Sequence, residues 1–394
     1  MTAARVEAAL RRTRPALWVL AALLLGFVAY RGALQPERGD TRFFQRGAER
    51  FAARAPLYTA VRGDPRSPTS GYTYPPPFAL AARPTLWVSP RALRALWPLA
   101  MAACALGGYL ALSRWARAGG TAAPETLVLL LTLALCGRYV WNDLRHGQSN
   151  LLVVGLVCAS LCHAQRKRDG WAGLALALAL VIKPTAWPLG LWFLAQGRLR
   201  LVGLGALAGV AALSVPGLLY GPHAYVGELE AWVTRMRSFA DEEALQPELV
   251  ARGSTLLNAA AGAWVARGLH ALGVGDPVGW GRLAAWLSGG LALGWTLWRR
   301  PPHGAAACVL LGAWVSPVTW KAHLVLLAIP GVLAARRVLA RPTPLAWTCW
   351  GAWLALVLLP KLLPAAEAWG CSTLALAAGW AWCVFGGNSP AANV

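Results

Sequence analysis

Apolar residues run through this chain in long stretches, at 17–34, 93–113, 124–141, 149–164, 199–219, 280–298, 305–316, 323–339, 343–363 and 369–385, separated by short clusters of arginine, proline and polar side chains. A helix that crosses a bilayer needs about 20 mostly apolar residues, and shorter ones survive when neighbours shield them. The pattern predicts an all-α protein, a polytopic transmembrane helix bundle forming one integral membrane domain over residues 1–394. The first stretch follows Arg11, Arg12 and Arg14 as in a signal peptide. No small-residue cleavage site follows convincingly, so it is read as an uncleaved first span.

Short basic turns set the orientation. Arg5 to Arg14, Arg114 with Arg117, Arg166-Lys167-Arg168, Arg299-Arg300 and Arg336 to Arg341 all fall inside if the N-terminus is cytoplasmic. Residues 36–90 then form a first extracytoplasmic loop. The stretch 171–196 has two readings. Crossing once, it puts Arg198 and Arg200 outside and requires 256–272 to span. Broken into two short helices at Lys183-Pro184, it returns both arginines to the cytoplasm and leaves 220–253 as a second large outer loop. Proline ends or kinks a helix at the preceding residue, and the second reading keeps every short basic turn inside. It gives about twelve crossings of the cell membrane.

The first outer loop is itself basic. Arg38, Arg42, Arg46, Arg50 and Arg54 recur every four residues, with Phe43, Phe44, Phe51 and Ala52 on the other side. This predicts an amphipathic interfacial helix. Its apolar face suits packing on the bundle as well as contact with lipid, and either arrangement holds Asp40 at the lipid-water boundary.

Composition agrees. Hydrophobic residues make up 57% of the 394 and charged residues 13%, against about 25% charged in a soluble domain; mean hydropathy is +0.48. Too few polar groups remain to coat a soluble globule. The net charge of +21 sits in turns between apolar runs, which points to anionic headgroups or phosphorylated substrates and away from nucleic acid. The eight cysteines lie mostly within apolar runs and form no CxxC pair or Cys/His ligand set, so they read as small hydrophobes.

Ionisable groups near membrane depth are candidates for function. Four clusters fall on the outer side: Asp40 with Arg42; Tyr72-Thr73-Tyr74-Pro75-Pro76-Pro77-Phe78, where consecutive prolines predict extended polyproline backbone; Asn142 to Asn150, containing Asp143, His146 and Gln148; and Lys183-Pro184 together with Ser316-Pro317-Val318-Thr319-Trp320-Lys321-Ala322-His323. Each has a plain alternative. Asp40 suits a helix cap, Lys183 an interfacial snorkel, His323 a bond to its own turn, and Gln148 and Asn150 caps on the next helix. Together they match transfer from a lipid phosphate: a carboxylate deprotonates the acceptor hydroxyl while cations hold the departing phosphate.

The order Asp40, Ala55-Pro56-Leu57-Tyr58, Tyr74-Pro75-Pro76, Gly147-Gln148-Ser149-Asn150, Lys183-Pro184, Gly253-Ser254-Thr255-Leu256 and Ser316 to His323 resembles glycosyltransferase family 87. These are polyprenyl-phosphate-mannose-dependent mannosyltransferases of the C-type glycosyltransferase fold. The resemblance implies an inverting transfer on the extracytoplasmic side, from a polyprenyl-phosphate sugar to a lipid or glycan hydroxyl, giving an α-mannoside. Asp40 matches the catalytic base. Lys183, His323 and Arg42 are expected on the donor phosphate, and Tyr74, His146, Gln148 and Asn150 at the sugar or acceptor. Three positions depart from the pattern: Ala322 stands for the first histidine of the late motif, Phe43 and Phe44 for tyrosines, and Gly253-Ser254-Thr255-Leu256 for Gly-Asn-Gln-Ser-Leu. No divalent metal is required by this chemistry, and Asp143 is the only suspect for recruiting one. The rival readings are a multispanning transporter or flippase and a C-type transferase using another lipid-linked sugar. A transporter would need polar or unwound positions near span centres, which here are Leu, Ala and Val.

Overall fold

The computed structural model describes residues 3–35, 39–58, 72–117, 123–251 and 257–386, and among these it contains helices and no strand. Arg38 and residues 253–256 lie outside that set. A long α1 (Ala3–Leu34) packs on α4 (Pro90–Arg117), while the short α2 (Thr41–Ala52) and α3 (Pro76–Ala81) sit together over one end of the bundle. Helices α5 (Glu125–His146), α6 (Asn150–Gln165), α7 (Asp169–Ile182), α8 (Trp187–Ala195) and α9 (Leu199–Tyr220) follow. The chain continues through α10 (Pro222–Leu245), α11 (Pro247–Ala251), α12 (Ala261–Ala271), α13 (Pro277–Arg299), α14 (Gly304–Val315), α15 (Ala328–Ala340), α16 (Pro344–Leu362) and α17 (Cys371–Phe385).

At the centre lies α14, in which every residue from Gly304 to Ala313 is buried. Lipid is as apolar as a leucine side chain, so helices in a membrane associate through close packing at small residues. Here α4 meets α6 at Gly108 and Gly155, and α7 meets α9 at Gly173 and Gly205. The outer faces are the reverse of a soluble protein's: Leu23, Leu218, Leu291 and Leu362 stand exposed, as on a surface that faces lipid. Among the described residues five helical stretches, α4, α5, α9, Lys321–Ala340 and α16, are long and apolar enough to cross a membrane, with Val19–Leu34 of α1, α6, α7, α14 and α17 as shorter apolar stretches. The protein is a multi-pass membrane protein.

Lys183-Pro184 does break its stretch. α7 ends at Ile182, one 3-10 turn (Pro184–Ala186) follows, and α8 begins at Trp187. Arg198 Nη2 then donates to Ala164 O at 2.8 Å and to Asp169 Oδ1 at 2.5 Å. The chain between these residues has therefore left one end of the bundle and returned to it. Arg198 and Arg300 also line a common recess there. At the same end the buried Arg336 donates to Ser113 Oγ at 2.7 Å and Glu125 Oε1 at 2.5 Å.

Two expectations need correction. Prolines 76 and 77 do not extend the chain; only Pro75 is extended, and the other two open α3, where proline's missing N–H has no intrahelical partner to lose. Within the expected second outer loop, the described residues form α10 and α11. Ala52 is exposed; α2 instead buries Phe44, Ala48 and Phe51 with the polar Thr41 and Gln45, because Gln45 Nε2 reaches Thr85 O and Val88 O at 3.0 and 2.9 Å. Helix α2 is thus docked on protein through that face.

Candidate active site

Helix ends and the turns between them meet at a cleft of about 310 Å3 lined by Asp40, Tyr74, Gln148, Lys183, Trp320 and His323. Asp40 occupies the N-cap position of α2, yet its carboxylate makes no capping bond. It turns to Tyr74, whose Oη donates to Asp40 Oδ2 at 3.1 Å and accepts from Ser149 Oγ at 3.2 Å. The Asp40 amide donates to His146 O at 2.9 Å, joining the α2 start to the α5–α6 turn. That turn needs Gly147, whose φ of 63° is left-handed. Burial raises the Asp40 pKa above its ordinary value; Lys183, the Tyr74 hydroxyl, Arg94 and Arg42 pull it down without cancelling the rise.

Lys183 reaches the cleft because the helix stops before Pro184. Gly312 on α14 makes room for the break, since a Cβ there would collide with Thr185 O. The Lys183 ammonium donates to Asn150 Oδ1 at 2.8 Å and lies 5.1 Å from the Tyr74 ring centroid. Asn150 is held in turn by Asp143 Oδ1 and Gln148 Oε1, each 2.7 Å from its Nδ2. Asp143 Oδ2 accepts from Leu151 N at 3.2 Å, so both its oxygens are engaged. Among the described residues no group of three His, Cys, Asp or Glu is placed to hold a metal.

His323 Nδ1 accepts the Trp320 amide at 2.9 Å. A neutral imidazole that accepts at Nδ1 carries its proton on Nε2. That Nε2 is 3.4 Å from Lys183 Nζ, so two donors converge, an arrangement that an anion relieves.

The remaining candidates lie off the cleft. The Arg42 guanidinium stacks over Phe43 at 4.5 Å. His146 lines a separate cavity with Arg31, Arg94 and Arg145. Asn150 is buried behind Lys183. Two groups of residues escape motif reading. Trp232 and Met236 of α10, with Trp187 and Trp286, wall the cleft; nothing in their local sequence marks them. The other is Asn258, fully buried, which accepts from Thr319 N at 2.8 Å and Ala260 N at 3.0 Å and donates to Pro317 O at 3.0 Å. It clamps the turn that carries Trp320 and His323.

Residues 72–318, which carry most of this cleft, match glycosyltransferase family 87. The chain belongs to that family. It is a membrane glycosyltransferase. It is 31% identical over 344 residues, 80% of its own length and 74% of the relative's, to a polyprenol-phosphate-mannose-dependent α-(1-2)-phosphatidylinositol mannoside mannosyltransferase of Mycobacterium tuberculosis. A protein of the same name from Mycolicibacterium smegmatis is 28% identical over 347 residues, 80% of this chain and 72% of that one. No solved structure matches the glycosyltransferase.

Proposed function

We propose that this enzyme transfers a mannosyl group from a polyprenyl-phosphate donor to a lipid or glycan hydroxyl, with inversion, at the extracytoplasmic face of the cell membrane. The observation that carries the proposal is the opposition, across one cleft, of a carboxylate free of capping duty and the converging Lys183 and His323 donors. Asp40 accepts the proton of the acceptor hydroxyl. The oxygen attacks the anomeric carbon as the bond from that carbon to phosphate oxygen breaks, and the phosphate departs with the electron pair, its charge met by Lys183 and the His323 N–H. Attack from the face opposite the phosphate inverts the anomeric centre. Tyr74 and Gln148 contact sugar or acceptor; Asn150 acts through Lys183 as a positioning residue; Arg42 favours the ionised form of Asp40 from outside the cleft, and His146, also off the cleft, is assigned no contact. The flank of Trp187, Trp232, Met236 and Trp286 suits an isoprenoid chain.

Mannose as the sugar rests on the relatives' names, and a mannosylated phosphoinositide is the first acceptor to try. The outer location rests on charge: the basic turns at 114–117, 166–168, 198–200, 299–300 and 336–341 belong to the end of the bundle away from the cleft, and such turns face the cytoplasm. Counting α7 and α8 separately gives about twelve crossings on the span-length criterion.

Membranes containing the Asp40→Asn variant, supplied with radiolabelled polyprenyl-phosphate mannose and acceptor, should transfer about 10²–10⁴-fold more slowly than wild type. Full activity in that variant would remove Asp40 as the base.

A further inference from the structure

Behind the catalytic wall lies a second cavity, of about 340 Å3, that the transfer chemistry does not use. The wall is one backbone thick. Gly39 lines the second cavity and Asp40 the cleft; His146 lines the cavity and Gln148 the cleft; the bond from Asp40 N to His146 O closes the seam. Arg31, Arg94, Arg145 and His146 line this cavity, and no carboxylate does among the described residues.

Arg94 is the telling group. It is only 7% exposed, and its guanidinium is packed so closely against the turns at 39 and 147 that a Cβ on either glycine would collide with Nη1. Nη2 donates to Arg145 O, but Nε and Nη1 have no hydrogen-bond partner. A buried guanidinium with unused donors is costly unless an anion completes it. The other side of the cavity is apolar, formed by Val28 with Phe27 of α1 and Trp141 of α5, which are 55% and 37% exposed on the outside of the bundle. One wall thus faces lipid while the other presents cations.

We propose that this cavity binds the phosphodiester headgroup of an anionic phospholipid, its phosphate on Arg94, Arg31 and Arg145 and its acyl chains along Phe27 and Trp141. A free phosphate offers the same anion but makes no use of the apolar wall, which is why the lipid is favoured. A neighbouring recess that shares Trp141 and Arg145 and adds Arg138 and Lys361 extends the positive field beside it.

The test uses full-length protein, freed of lipid in detergent and titrated with dioctanoyl phosphatidylglycerol, dioctanoyl phosphatidylcholine or inorganic phosphate, with binding read by native mass spectrometry. Phosphatidylglycerol should bind saturably and at least about tenfold more tightly than the other two, the equivalent of one charge-assisted hydrogen bond. Arg31 and Arg145 are exposed, so the double variant Arg31→Gln, Arg145→Gln keeps the fold, and it should weaken phosphatidylglycerol by about tenfold or more. Lys183→Gln should leave that binding unchanged. Arg94→Gln addresses the buried group directly, and the double variant keeps the test independent of whether that protein folds. Equal binding of phosphatidylcholine, equal binding of free phosphate, or loss of the lipid in Lys183→Gln with retention in the double variant would each overturn the proposal.

Discussion

An aspartate at a helix N-cap ordinarily hydrogen-bonds its helix's own amides. Asp40 does not, and its carboxylate is turned to Tyr74 and the cleft instead. The same environment that withdraws it from water raises its pKa above the ordinary 3.8, bringing its basicity closer to neutral pH. The sign follows from its role. With Asp40 as the proposed base the ionised form is the competent one, so kcat/KM should fall as pH drops through the raised pKa, and the acid limb of the pH profile should lie above 3.8. Tyr74→Phe removes a hydrogen bond that favours the ionised form and should move that limb further up. An unmoved limb would mean that some other group sets it. Asp40 as a candidate was legible in the sequence from its place after the first span. Its departure from the cap was not, because Tyr74 lies 34 positions along the chain.

At the scale of elements, function is delivered by interruptions. α7 stops at Ile182, and α14 is followed by the non-helical Ser316 to Trp320 before the 3-10 segment Lys321–Leu327. Proline marks both breaks in the sequence; the first is predicted from it, the second from the gap between the apolar runs 305–316 and 323–339. The clamp on the second break has no such mark. Asn258→Ala would leave Thr319 N, Ala260 N and Pro317 O without their partner, at ~1–3 kcal/mol for each buried group left unpaired. The variant should lower the thermal midpoint and raise the KM for the lipid-linked donor more than it lowers kcat, although Asn258 does not line the cleft. An unchanged donor KM would mean the turn holds itself. The partners of α10 were equally invisible in the sequence. Buried Glu228 accepts from Leu57 N at 2.9 Å and Tyr220 Oη at 3.2 Å, tying the helix to the Ala55-Pro56-Leu57-Tyr58 segment.

Across the whole molecule the two ends of the bundle are chemically distinct. One carries the cleft and the cationic cavity behind it; the other carries the basic turns and the Arg336–Glu125 pair. α5 connects them, with Glu125 at one end and Asp143 near the other, roughly 27 Å apart at 1.5 Å per residue. The contact of Arg198 with Ala164 O and Asp169 ties the 198–200 turn to the 166–168 turn. A cysteine at the exposed Arg200 should therefore react with a membrane-impermeant maleimide only after the membrane is opened. Labelling in intact cells would invert the proposed topology.

The apolar runs by themselves determined that this chain is a helical membrane protein, because a bilayer imposes length and hydrophobicity on each segment independently of its neighbours. Its prolines and few ionisable residues likewise marked where the bundle would open. Only the tertiary structure decided which polar residues share the cleft. Separating Lys183 and His323 from Arg42 and His146 requires knowing which way each helix end faces, and glycines such as Gly312 govern that by letting one backbone approach another. Such contacts join residues more than a hundred positions apart and leave no local pattern. Charge was legible in the sequence as a total of +21; its division between basic turns at one end of the bundle, the Lys183–His323 pair at the cleft and the cavity lined by Arg31, Arg94 and Arg145 depends on packing.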